Sequence, residues 1–111
     1  MGPKSNVYVR ALEVVRELRP LVDAVQKRDR KLADQLRRAA QSVVLNIAEA
    51  RGNRDGNARL RFSTACGSAK ETRAALTIAS AWGYIDARRV APLDQELDEV
   101  CAITWVLGRT G

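Results

Sequence analysis

The sequence predicts an all-α protein, an antiparallel up-down-up-down four-helix bundle in which residues 1–111 form a single domain. Three observations predict it. Apolar residues recur at alternating gaps of three and four, with no convincing strand run, which is helical spacing. Short polar connections divide the chain into four such segments, and short links make sequential helices antiparallel neighbours. A chain of 111 residues, 46% hydrophobic and 29% charged, is large enough for one core and too short for two.

The first helix is expected over residues 5–26, with Ser5 as its N-cap. Its inward face reads Tyr8, Ala11, Val15, Leu18, Val22 and Val25. Pro20 lies within this pattern, lacks an amide donor and crowds the carbonyl of Arg16, so a kink or a break is expected there. "KRDRK" turns the chain, and Asp29 caps a second helix over 30–51, which carries Leu32, Leu36, Ala39, Val43 and Ile47 inward and stops at Gly52. "GNRDGN" is the next loop. A third helix follows over 57–82, with Phe62, Ala65, Ala69, Leu76 and Ala79 inside. "WGYID" ends it, with Gly83 as the stop and Asp86 as the cap of a last helix over 87–108. That helix aligns Val90, Leu93, Leu97, Val100, Thr104 and Leu107, and Pro92 suits the first position of a regular helix beginning there.

Charge is uneven along the chain. The net charge is +6, but residues 1–61 hold fourteen basic and seven acidic residues, whereas 62–111 hold five and six. Within the basic half, Lys27, Arg28, Arg30, Lys31, Arg37 and Arg38 cluster at the start of the second helix, and Arg51, Arg54, Arg59 and Arg61 surround the central loop. Such groups attract polyanions, RNA or DNA, through salt-dependent phosphate contacts; the plainer reading of each arginine is a soluble surface or an ion pair. The aromatic residues Tyr8, Phe62, Trp82, Tyr84 and Trp105 are few and read mostly as core, so base stacking is a minor expectation.

Polar residues border the apolar stripes. Arg38, Ser42, Asn46 and Glu49 form one line on the second helix, and Thr64, Ser68, Glu71 and Ala75 form another on the third. Between them, "ACGSA" offers small side chains that let backbones approach. Polar groups so near a core need partners or cost about 1–3 kcal/mol each, so Arg38, Ser42, Asn46, Glu49, Ser68 and Glu71 are expected to form a structural network that sets helix register. Glu49 with Glu71 is the one pairing suited to acid–base hydrolysis, and nothing in the sequence supplies it with a pocket.

The chain contains no histidine, which excludes histidine-based zinc or iron sites and Ser-His or Cys-His nucleophiles. The glycines of "RGNRDGN" match neither a phosphate loop nor a dinucleotide fingerprint. No enzyme activity, metal or cofactor is therefore expected. Cys66 and Cys101 are far apart within helical patterns and are expected as reduced, buried thiols. The N-terminal stretch has no apolar signal region and no stretch is long enough to span a bilayer, so a cytoplasmic protein is expected.

"QLRRAAQSVVLNIAEARGN" followed by "RFSTACGSAKETRAALTIASAWGYI" resembles the four-helix-bundle family of proteins encoded within intervening sequences of bacterial 23S ribosomal RNA genes. The matching residues are Gln35 through Ala40, Ser42, Asn46 through Glu49, Gly52, Phe62, Gly67, Ser68, Glu71 and Gly83 through Ile85, within a match over roughly 32–86. Ala50 stands where the family usually has glycine, and Asn53 where it has arginine, with Arg54 adjacent. The resemblance implies a ring-like homo-oligomer, a homopentamer above all. Through a related branch, the accessory variability determinant proteins of diversity-generating retroelements, it also implies work alongside nucleic acid and a reverse transcriptase.

Two functions are then expected to compete. One is an oligomeric accessory protein that binds RNA or DNA through its basic helix ends and loops. The other is a protein–protein scaffold or adaptor for a nucleic-acid-processing enzyme such as a reverse transcriptase. Self-association is expected from surplus apolar residues as well: Val7, Leu12, Val14 and Leu21 on the first helix, Val44 and Leu45 on the second, Ile103 and Val106 on the last.

Overall fold

The computed structural model describes residues 3–53 and 55–110, with side chains described for 7–53 and 56–109. It contains four helices: α1 (Pro3–Gln26), α2 (Arg30–Arg51), α3 (Asp55–Ala81) and α4 (Ala87–Thr110). Each packs on two others, α1 on α2 and α4, and α3 on α2 and α4. The long dimension of 42 Å is about that of a 27-residue helix at 1.5 Å per residue, so the helices share one long axis. The described residues contain no strand.

Local signals set most of the helix ends. Asp29 is in an extended conformation and its carboxylate accepts the amide of Leu32 at 3.0 Å, a capping bond. At the other end of α2, the Gly52 amide donates to the Glu49 carbonyl and the Asn53 amide to the Ala50 carbonyl, and the Asn53 side chain donates to the Glu49 carbonyl at 2.9 Å. Gly83 takes a left-handed φ of 78°, which a side chain would strain. There the Tyr84 amide returns to the Ala79 carbonyl and the Gly83 amide to the Ser80 carbonyl, both at 2.9 Å, closing the helix. Asp86 accepts the Arg88 amide at 2.8 Å and so starts α4.

Other ends and both prolines depart from expectation. α1 starts at Pro3, so Ser5 is inside the helix and not its cap; α3 starts at Asp55, two residues early. Pro20 does not break α1, which runs through it, and α4 begins five residues before Pro92. Both prolines are exposed, as are Arg16 and Arg88, the residues whose carbonyls lose an amide partner. Water can reach those carbonyls, so the cost of each proline is only the missing bond and local crowding.

The core seam along α1 also differs from the expected one. Val7, Ala11, Val14, Leu18, Leu21 and Val25 are buried, while Tyr8 and Val15 are half-buried against it. Val7, Val14 and Leu21 are each only 2% exposed and therefore are not surplus apolar surface. α1 carries apolar residues on two adjacent stripes, and a helical period is satisfied by either. On α2, α3 and α4 the expected faces are buried, except that Phe62 and Leu107 are half-buried. Two further aromatics stand outside the core altogether, Trp82 at 68% and Trp105 at 50% exposure.

Arginine straps bind α4 to its neighbours. Arg73 of α3 donates to Asp94 at 2.8 Å and to Asp98 at 2.7 Å; Arg10 of α1 donates to Glu96 at 2.8 Å and to Glu99. The hydrogen bond from Arg73 holds the Asp94 carboxyl below its ordinary range, against a smaller opposing effect of burial. The carboxylate hydrogen bonds likewise raise Arg10 and Arg73, which stay charged.

Within "ACGSA", Gly67 faces away from the buried Ala65, Ser68 and Ala69. A methyl group placed on Gly67 would meet nothing within 4 Å, so this glycine is no contact point. On Gly108 it would sit 2.5 Å from Ser63 Oγ, 3.1 Å from Ser63 N and 3.3 Å from Ser63 Cα. Opposite results follow. Gly67→Ala adds helix propensity in free space and should stabilise by about 0.5–1 kcal/mol. Gly108→Ala gains the same propensity but overpacks against backbone that cannot swing away, a cost of roughly 1–3 kcal/mol, so the net effect is destabilising. Urea unfolding of the two variants measures both signs.

Candidate nucleic-acid interface

The expected cations fall into two groups at opposite ends of α2, a 22-residue helix about 33 Å long. The first group occupies the α1–α2 turn. Backbone bonds from Arg28 and Asp29 to the Val25 carbonyl, at 2.9 and 2.7 Å, shape this turn above the fully buried Val25. Lys27, Arg28, Arg30 and Lys31 all project into solvent. The nearest acid in sequence, Asp29, is engaged in capping Leu32. Lys27, Arg30 and Lys31 form no ion pair among the described residues, and the Arg28 guanidinium lies 5.3 Å from the centre of the Tyr84 ring.

These charges oppose helix stability. Arg30 and Lys31 occupy the first turn of α2, which contains no acid, and cations there face the positive end of the helix dipole at a cost of roughly 0.3–1 kcal/mol. The Asp29 carboxylate on the Leu32 amide offsets part of that cost, and the side chains of Arg30 and Lys31 keep the helix end positive.

Arg37 and Arg38 sit farther along the shaft and share one carboxylate, Asp34, at 3.7 and 3.4 Å. Arg37 also donates to Gln26 at 2.8 Å. One acid between two arginines leaves net positive charge. An open furrow of about 350 Å³ runs beside them between α1 and α2, with Val15, Leu18, Val22 and Ala40 below and Arg16, Arg19, Asp23, Arg37 and Gln41 around it. It adjoins a recess lined by Gln26, Arg30, Lys31, Asp34 and Arg37. Arg19 thus extends the basic surface onto α1, beyond the cations expected from the sequence, while Arg16 beside it pairs with Glu13 at 3.0 Å. Their spacing of three was a visible signal, but only helix pairing shows which neighbour they face.

The second group is looser. Arg51 lies 5.2 Å from the centre of the Tyr8 ring, Arg61 makes a 3.4 Å contact with Asn46 Oδ1, and Arg59 is exposed. Arg54 lies outside the described residues.

The expected polar network is realised by half of its members. Ser42 and Ser68 hydroxyls meet at 2.6 Å, and the Asn46 amide donates to the Ser42 hydroxyl at 3.0 Å and to its carbonyl at 2.8 Å. Thr72, buried beneath, donates to the Ser68 carbonyl. Arg38 instead turns to Asp34. Glu49 and Glu71 are exposed and join no hydrogen bond of this network. Because Asn46 meets Arg61 while Ser42 meets Ser68, Glu49 and Glu71 lie on opposite sides of the serine link, about 15 Å apart along the axis. They are too far apart to act on one bond.

Among the described residues, no helix is long and apolar enough to cross a membrane. A family model described as "23S rRNA-intervening sequence protein" matches residues 3–105. The chain is also similar to the crystal structure of a protein of unknown function from the S23 ribosomal protein family of Bacteroides thetaiotaomicron. The TM-score is 0.85 at 19% identity, over 94% of this chain and 99% of that one, a likeness of fold. Comparison with curated proteins gives no match.

Proposed function

The chain belongs to the family of 23S rRNA-intervening sequence proteins, and on that footing we propose that it is a non-enzymatic, oligomeric accessory protein that grips RNA or DNA by phosphate contacts. The observation that carries this reading is the α1–α2 turn. There Lys27, Arg30 and Lys31 stand exposed, without ion pairs among the described residues, at a helix end that its cations destabilise. The acids of α4 cannot balance them, since Asp94, Asp98, Glu96 and Glu99 are taken by Arg73 and Arg10. The bundle runs up-down-up-down in this reading. In support, residues advancing along α3 meet residues receding along α2, and Arg73–Asp94 with Cys66–Cys101 repeat the pattern against α4. Each molecule then offers two basic ends, and a ring of copies multiplies them.

Exposed Leu45, Leu60, Ile78, Trp82 and Trp105 support self-association, with a pentamer as the expected ring, in the cytoplasm. Ile78 and Trp82, one turn apart on α3, also favour a second reading, a scaffold for a nucleic-acid-processing enzyme such as a reverse transcriptase.

The test is binding of the protein to a generic RNA hairpin across a salt series. With about four phosphate contacts the logarithm of affinity falls with the logarithm of salt at a slope of roughly −3 to −4. No binding at low salt, or binding indifferent to salt, rejects the reading. Co-purification of one protein that survives nuclease and high salt supports the scaffold instead.

A further inference from the structure

Two thiols that the chain separates by 35 residues meet in the fold. Cys66 of α3 and Cys101 of α4 have their Sγ atoms 3.0 Å apart, and Cys101 Sγ also lies 3.6 Å from the Cys66 carbonyl. Both are free thiols, 5% and 7% exposed, within the core. On α3, Cys66 shares its buried face with the small side chains of Ala65 and Ala69. A disulfide needs its sulfurs at about 2.05 Å, so closure requires a movement of roughly 1 Å, within the reach of side-chain rotation.

We propose that Cys66 and Cys101 are a redox modification site, a dithiol that a small peroxide closes into a disulfide strapping α3 to α4. The burial of both sulfurs selects a small oxidant over a bulky one such as a glutathione disulfide. One thiolate attacks a peroxide oxygen; the O–O bond breaks, a sulfenic acid forms and the departing hydroxide takes up a proton as water. The second thiol then attacks the sulfenic sulfur, the S–S bond forms, and the hydroxyl leaves as a second water with that thiol's proton. The protein loses two electrons and two hydrogens, and hydrogen peroxide is reduced to two waters. Burial pushes the Cys101 thiol up to about 11, so its thiolate is scarce at neutral pH and closure is slow. The inference is independent of nucleic-acid binding, and its test does not use it.

The whole protein is incubated overnight in excess hydrogen peroxide, and its intact mass and its thiol content in denaturant are then measured. The expected result is a monomer lighter by two hydrogens with no titratable thiol, restored by dithiothreitol. Its thermal midpoint should rise on the order of 10 °C, because the bridge closes a long loop in the unfolded chain. Cys101→Ser should lose both the mass change and the shift, and should gain oxygen on Cys66 or a disulfide-linked dimer. If that variant does not fold, the wild-type thiol count decides alone. Two surviving thiols, added oxygen without loss of hydrogen, or cross-linked dimers in the wild type each overturn the proposal.

Discussion

Reversing the α1–α2 turn with Lys27→Glu, Arg30→Glu and Lys31→Glu together lowers affinity for an RNA hairpin by on the order of a thousandfold at 0.1 M salt. Each phosphate-binding cation removed takes nearly one unit from the salt slope, and near 0.1 M salt that is close to tenfold in affinity. The added carboxylates repel the strand as well. Misfolding does not explain such a drop. None of the three side chains pairs with an acid among the described residues, and glutamate at residues 30 and 31 complements the α2 dipole, so stability should hold or rise slightly. The drop should be similar for hairpins of different sequence, since phosphates carry no base identity. Filter binding with two unrelated hairpins at three salt concentrations measures both features. An unchanged slope would move the binding surface away from this turn.

The largest effect on stability is expected from Leu36→Ala. Leu36 is fully buried on the α2 face, about two turns into the helix, within the cluster shared by all four helices. Removing three carbons there loses their burial and leaves a cavity that the packed helices close only in part. A cost of about 3–4 kcal/mol is expected, a large share of the stability of a domain this size. Leu45→Ala on the same helix, 66% exposed, should change the monomer's stability by less than about 0.5 kcal/mol. Chemical unfolding of the two variants at one protein concentration separates them. If Leu45→Ala instead reduces stability in proportion to protein concentration, its side chain belongs to a subunit contact.

The core face and the ends of α2 were legible: Leu32, Leu36, Ala39, Val43 and Ile47 share one helical face, and Asp29 and Gly52 mark the ends. Gly83 and Asp86 were legible for the same reason, since each acts through backbone groups within a few residues. α1 was ambiguous, because Val7, Val14 and Leu21 and their neighbours Tyr8, Val15 and Val22 form two stripes of similar hydrophobicity. The basic turn was legible as charge. The straps were not: nothing in the spacing of Arg10 and Arg73 shows that they take up four carboxylates of α4, which decides where positive charge remains. Among the six residues expected in the polar network, Ser42, Asn46 and Ser68 have short side chains that reach only the adjoining helix. Arg38, Glu49 and Glu71 are long enough to turn to solvent or to another partner.

By itself the sequence determined that the chain is helical, where its four helices turn, and that its first half carries the excess of positive charge. These properties arise from interactions a few residues apart, within the range of a hydrogen-bonded turn. Only the tertiary structure decided which stripe of α1 faces inward, that Gly108 and not Gly67 is where backbones close up, and that Cys66 meets Cys101. Each of those depends on how side chains of separate helices fill a shared volume, and that packing joins residues that no local period connects.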